Sequence, residues 1–309
     1  MNYRAIAFAA LQATGMYVAG FVPLIGQLIA LFTPVPLIIA YARYGRTEGF
    51  VALGLSGALI AALAGWQAAA ILLLSFGLMA IGTGEGLRRR LKPEQASLAG
   101  GLLPLAIIGG ALAYYFLRIG KNPVVVMETY LRGSLAEATK LYTSMGLDEM
   151  ASAINLVSDK FIYYFIRLTP GIVAATFILQ AVCCYGLARV LILRMQKQAA
   201  DPSQPTLASW HAPDKWVWGL ILALGLTALP FETGRFIGLN FAILFSVVYT
   251  TQGVAVVEHV FAKAGLPAFV RGLLHALVLA LPTVVFVIAL GVVDIWADFR
   301  KVRSVADKT

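Results

Sequence analysis

The stretch "TPVPLIIAYARYGRTEGF", residues 33–50, sets two prolines before an apolar run and closes it with Arg43 and Arg46. Proline lacks an N–H and interrupts a helical ladder. Arginines flanking an apolar segment mark the cytoplasmic end of a membrane helix. A soluble enzyme can build a turn and a core strand from similar residues, so the rest of the chain decides.

Of 309 residues, 60% are hydrophobic and 13% charged, with a mean hydropathy of +0.83. Soluble domains carry about 45–50% apolar and about 25% charged residues. Long uncharged runs recur at 49–79, 96–117, 168–187, 236–257 and 273–293. Each is near or above the ~18–20 residues that a helix needs to cross the hydrocarbon. The expected fold is an all-α polytopic membrane protein with about eight transmembrane helices. The chain reads as one membrane domain, 1–309, lying in the bacterial inner membrane with both termini in the cytoplasm.

The net charge of +9 sits largely in short loops beside apolar segments, which reads as topogenic charge and not as a nucleic-acid surface. The N-terminal segment leads straight into further apolar runs and is read as a retained first helix. Cys183 and Cys184 are adjacent within an apolar run, an arrangement unsuited to a structural disulfide or a metal site. The chain has three histidines and no HExxH, CxxC, GxSxG or P-loop pattern. No cofactor, no metal and no enzymatic activity are expected.

A first helix is predicted near 5–22 and a second near 24–43, interrupted at Thr33–Pro36. Helices near 47–64 and 66–87 are parted by Gly65 and end in "EGLRRRLKPE", the strongest positive-inside mark. A fifth follows at about 97–118. Residues 119–160 mix charge with apolar residues at helical intervals, with a helix end at Gly146 and a new start at Asp148. They predict an amphipathic insert of two surface helices outside the cytoplasm. The next helix covers about 161–194 and carries Pro170, and 196–214 is a polar linker. Helices are expected at about 215–230 and 235–260. Residues 266–298 form one long crossing, two short ones split near Pro282, or a surface segment plus a crossing.

Polar groups inside such spans are costly in hydrocarbon and mark candidate sites. Asn240 and Gln252, twelve residues apart, are read as lying on roughly the same face. With Thr33 at the proline break they are the expected substrate-binding residues. Glu258 and Arg271 can pair across a turn, either to fix a hairpin or to line a cavity. Asp294, Asp298 and Arg300 close the last span beside Trp296, as a charged interface in preference to a divalent-ion site. Pro34, Pro36 and Arg43 are structural. Ala5, Ala9 and Ala13, spaced by four, form a small-residue stripe that serves internal packing or docks a partner subunit.

The segments "TPVPLIIAYARYG", "WHAPDKWVWGLI", "QGVAVVEHVF" and "VVDIWADFRK" resemble recurrent segments of the YybS-like family of bacterial integral membrane proteins. The resemblance covers nearly the whole chain and marks Pro34, Pro36, Arg43, Gly45, Gln252, Gly253, Asp294, Asp298 and Arg300 as motif positions, with no activity attached. That family is distantly similar to the substrate-binding subunits of energy-coupling-factor vitamin transporters. There an alanine-spaced first helix docks on a coupling subunit, a place that Ala5, Ala9 and Ala13 would take. The extra helices and the 119–160 insert depart from that pattern.

The functional expectation is a membrane protein that binds or transports a small molecule, with energy supplied by partner subunits. The alternative is a non-transporting scaffold or regulator of the envelope that uses the 119–160 surface. The expected partners are the lipid bilayer, a membrane protein and an unidentified small molecule, with no nucleic acid.

Overall fold

The computed structural model describes residues 2–23, 25–196, 209–278 and 283–301, and among these every regular element is helical. Five helical stretches are long and apolar enough to cross a membrane: Ile25–Tyr44, Arg46–Arg88, Pro93–Ile119, Ser158–Gln196 and Glu232–Lys263. This is an all-α polytopic membrane protein.

Helix α1 (Tyr3–Ala19) precedes two short helices, α2 (Ile25–Ala30) and α3 (Pro34–Ile39), the latter running into a π-helical turn, Ala40–Tyr44. The break between α2 and α3 follows from the two prolines. Pro34 and Pro36 cannot donate to the carbonyls of Ala30 and Phe32, so the Thr33 and Val35 N–H groups take those carbonyls at 3.1 and 2.9 Å. The carbonyl of Leu31 is satisfied from outside the segment, by Gln180 Nε2 at 2.8 Å and by the Cys184 thiol at 3.5 Å. The carbonyls of Ala30, Leu31 and Phe32 at the break thus all have protein partners, as an interruption within a membrane requires. Thr33 to Ile38 are buried, forming a core with Ile6, Ala9 and Ala13 of α1 and Ala52 of the next helix.

Helix α4 (Arg46–Ile71), a π-helical stretch (Leu72–Gly77) and α5 (Leu78–Arg88) form a single apolar run that folds back on itself at Gly65, whose φ of 88° and ψ of 168° are non-helical. Only glycine takes that conformation without strain. Residues equidistant from Gly65 then meet across the hairpin: Leu73 lies against Gly57, Leu53 against Gly77, and Arg46 pairs with Glu85. The helices expected at 47–64 and 66–87 are the two arms. Glu85 closes the basic end of the bundle, accepting from Tyr41 at 3.2 Å, Arg46 Nε at 3.0 Å and Arg89 Nε at 2.6 Å.

Helix α6 (Pro93–Ile119) packs on α5 and on the longest helix of the fold. Helix α7 (Pro123–Ser144) has no buried residue and ends at Gly146 in the left-handed region, with Leu147 donating to Tyr142 at 2.9 Å. Helix α8 (Asp148–Gln196, 49 residues) is about 74 Å long at 1.5 Å per residue, against a hydrocarbon core of about 30 Å. Its first turns therefore extend beyond a single crossing and pair with α7 through Arg132–Asp159 at 2.6 Å and Thr139–Asn155 at 3.4 Å. The expected insert at 119–160 is thus a hairpin arm. Its second helix does not stop at 160 but continues into the membrane segment.

Helix α9 (Trp216–Thr227), α10 (Glu232–Lys263), α11 (Ala268–Val278) and α12 (Val284–Ala297) complete the fold. The 12 residues of α9 and 14 of α12 span only about 18 and 21 Å, too short to cross alone. The full crossing expected at 215–230 is therefore a partial helix, and of the alternatives for 266–298 the described residues hold two short helices, α11 and α12. Both α9 and α12 pack along α10. The expected split at Pro282 lies outside the described residues, as does most of the 196–214 linker.

Candidate functional site

The two partial helices α9 and α12 pack on the same stretch of α10. Val217 and Leu220 in the first turns of α9 and Val292 and Ile295 in the last turns of α12 share one apolar cluster around Tyr249 and Phe245 of α10. Both run antiparallel to α10. Gly219 abuts Phe245 and Gly238 abuts Ala223, while Gly253 touches Val287 and Gly291 touches Tyr249.

Around this junction lies a buried polar network. Gln252, Asp294 and Arg300 are 0%, 1% and 6% exposed. Gln252 Nε2 donates to Asp294 Oδ2 at 2.7 Å, and its Oε1 accepts the Ala212 N–H at 2.8 Å. Arg300 Nη2 donates to the same Asp294 oxygen at 2.8 Å, and Nη1 to the Trp210 carbonyl at 2.8 Å. Asp294 Oδ1 accepts the Phe299 N–H at 3.0 Å.

Local backbone chemistry builds this geometry. Gly253 and Gly291 let α10 and α12 cross in backbone contact, which places Gln252 beside Asp294. Asp298 ends α12 in the left-handed region, φ 41° and ψ 52°, a conformation that aspartate tolerates better than most residues. The chain then turns back, and Arg300 reaches the carboxylate six residues before it. A cation is also favoured beside the carbonyl end of a helix. The segments around Trp210, Gln252 and Asp294, separated by up to 90 residues, thus meet at one place.

Beside the network is a cavity of about 370 Å³, between α6 and α10 over the surface of α8. Val182, Val247 and Val248 give it apolar walls, and Trp210 and Trp216 close one side. The Trp210 wall is the segment whose backbone Arg300 and Gln252 hold through residues 210 and 212. Glu94, Tyr185 and Arg189 supply polar groups towards the basic end of the bundle.

Asn240 and Thr33 are placed elsewhere. Twelve residues turn a helix by about 120° beyond whole turns, so Asn240 faces α8 while Gln252 faces α12. Asn240 Nδ2 donates to the Arg167 carbonyl at 2.8 Å, and Oδ1 accepts the Gly171 N–H at 2.6 Å. An unbroken helix would pair those two groups with each other, and Pro170 sits between them. The Asn240 carboxamide therefore bridges the proline kink of α8. Asn240→Leu is expected to cost about 2 kcal/mol, since it leaves buried backbone groups without partners. Adding Pro170→Ala should recover much of that loss in equilibrium unfolding in mixed micelles. A double variant no more stable than Asn240→Leu would exclude the bridging role.

Thr33 is fully buried in the α2–α3 break against α8. Arg43 reaches the Met195 carbonyl near the end of α8 at 3.5 Å. Glu258 pairs with Arg271, and His275 Nε2 lies 3.6 Å from the other Glu258 oxygen, joining α10 to α11. Ala9 and Ala13 are buried within the core of α1, α3 and α4, and Ala5 is partly so, while Phe8 and Leu11 point outward.

A family described as predicted membrane protein (DUF2232) matches residues 10–295. The chain belongs to that family. No curated protein and no solved structure matches it. The matched region takes in the α2–α3 break, the cavity and Gln252 and Asp294, and stops five residues before Arg300. Sequence reading names Gln252 as a ligand residue and groups Asp294 with Arg300 as a charged interface, whereas packing buries that pair and joins it to Gln252. Sequence reading misses Trp210 and Ala212, whose contributions are backbone groups that no side-chain pattern displays, and it misses Tyr185 and Arg189 of the cavity.

Proposed function

We propose that this is a bacterial inner-membrane protein that binds a small molecule within the bilayer, at the cavity between α6, α8 and α10, with its basic end in the cytoplasm. The observation that carries the reading is the cavity itself. Its volume of about 370 Å³ falls in the range of about 300–1,000 Å³ usual for ligand sites, and its lining is apolar with a few polar groups at one end. The interrupted α2–α3 segment, which packs on α8, is a second support, because helices broken inside the membrane recur at transporter substrate sites. Gln252 serves the site through the wall at Trp210, and Asn240 serves it by bridging α8 across Pro170.

Transport would draw energy from partner subunits, as in the energy-coupling-factor transporters to which the YybS-like family is distantly similar. Because Ala9 and Ala13 are packed internally, such a partner would meet α1 on its Phe8 and Leu11 face. The test is native mass spectrometry of protein purified gently from its own membrane. A bound small molecule is expected in the wild type and absent from Val182→Trp, which fills the cavity. Wild-type protein free of any small molecule, or unchanged occupancy in Val182→Trp, would remove the reading.

The α7–α8 arm favours a second reading, a scaffold for envelope proteins. It predicts a protein partner that is lost when residues 123–158 are deleted, with ligand occupancy unchanged.

A further inference from the structure

We infer that Glu258 and His275 form a proton site that latches α11 onto α10, tight with the imidazole protonated and loose with it neutral. The site lies apart from the cavity: Glu258 stands two turns beyond the cavity residue Thr251 on α10, about 10 Å along the helix. Arg271 and His275, four apart on α11, present one face to it. Arg271 pairs with Glu258 Oε1, and His275 Nε2 lies 3.6 Å from Oε2. Phe261 of α10 meets the imidazole edge-on, with ring centres 5.4 Å apart. The Glu258 and His275 side chains are each 18% exposed.

The neighbours of the ring place its hydrogens. Nδ1 is 2.7 Å from the Arg271 carbonyl oxygen, which can only accept, so Nδ1 carries a hydrogen. In the neutral ring Nε2 then holds a lone pair, and it sits buried without a hydrogen bond beside a carboxylate oxygen. Two acceptors face each other there. A proton on Nε2 makes one of them a donor, and closing the gap to about 2.8 Å gives a charge-assisted bond. An imidazole changes charge between about pH 5 and 8. Of the ionisable groups on this stretch of α10, Glu258 faces the ring, while His259 and Lys263 lie about 100° and 140° round the helix from it. On α11, Arg271 is one turn back and engaged with the other carboxylate oxygen.

The outer side of α11 is apolar. Phe269 and Leu277, 84% and 65% exposed, lie at least about 120° round the helix from Arg271 and His275. The polar face is thus turned inward and the apolar face outward towards lipid, so the ion cluster is a principal hold on α10.

The experiment uses full-length protein in nanodiscs, labelled with nitrogen-15 histidine. The chain has three histidines, and His275→Gln assigns the signals of the one at issue. Its ring is expected to carry a hydrogen on Nδ1 alone at about pH 8 and on both nitrogens at about pH 5. Hydrogen exchange of the peptide 266–278 reads the latch, with wild type and His275→Gln compared at each pH so that intrinsic exchange cancels. Wild type should be protected about tenfold more than the variant at the lower pH, the worth of one charge-assisted bond, and equally at the higher. Glu258→Gln should abolish the difference between the two pH values. Glu258→Asp, which withdraws the carboxylate by one methylene, should shrink it and serves where the first variant misfolds.

A neutral ring with its hydrogen on Nε2 would overturn the latch, as would an exchange ratio that is the same at both pH values. A pH response that persists in Glu258→Gln would mean that another group carries it, and would overturn the pairing.

Discussion

Arg300→Ala is expected to destabilise the protein by about 3–5 kcal/mol, the cost of stranding a buried charge whose partner has been removed. The magnitude follows from geometry. Asp294 and Arg300 side chains are each 1% exposed, and the carboxylate would be left with the Gln252 amide and the Phe299 N–H alone. The Trp210 carbonyl would lose its donor as well. Replacing both charged residues by apolar ones, Asp294→Leu with Arg300→Met, should be far less damaging than either single change, because no lone charge remains. Equilibrium unfolding in mixed micelles of the wild type, both single variants and the double variant completes the cycle. A single variant within about 1 kcal/mol of wild type would show that the pair contributes little.

Gly291→Ala should be among the most damaging glycine substitutions, costing about 3 kcal/mol or more by overpacking. A Cβ at Gly291 would overlap the Tyr249 carbonyl oxygen and crowd the Gly253 N–H. The neighbours are backbone atoms, so no side chain can rotate away, and α12 must move off α10. That movement would also separate Asp294 from Gln252, so the variant should lose ligand occupancy together with stability. Gly110→Ala in α6 is the control, because a Cβ there meets nothing within 4 Å. It should be neutral or stabilising by up to about 1 kcal/mol, from the better helix propensity of alanine. Equal losses at both positions would argue against the close crossing.

Much of the fold is legible because single residues force it. Pro34 and Pro36 lack the N–H groups that a continuous helix needs, and Gly65 and Gly146 adopt backbone conformations that other residues resist. Hydrophobic length exposes the long crossings for the same local reason. Length alone cannot choose where an apolar run is not one helix: residues 266–298 read equally as one crossing or as two shorter pieces, and they contain two short elements. The end of the insert at 160 is also invisible, because α8 stays helical through the change from polar to apolar surroundings.

For the candidate site, the sequence shows costly residues but not their partners. Asn240 and Gln252 look equivalent as amides in one apolar helix. One mends a proline kink in α8, and the other holds the wall of a cavity. That difference comes from the 120° between them and from which helix packs on each side.

By itself, then, the sequence determined that this chain lives in a bilayer, where its backbone must break and which end of the bundle is basic. Those are consequences of burial, proline and glycine stereochemistry, and charge, all properties of a residue and its near neighbours. Tertiary packing alone decided that residues 210, 252, 294 and 300 share one buried network, that α9 and α12 pack on the same stretch of α10, and that a cavity opens beside them. Each depends on contacts between segments far apart in the chain, made possible by the Gly253–Gly291 crossing, and local pattern carries no information about which distant surfaces will meet.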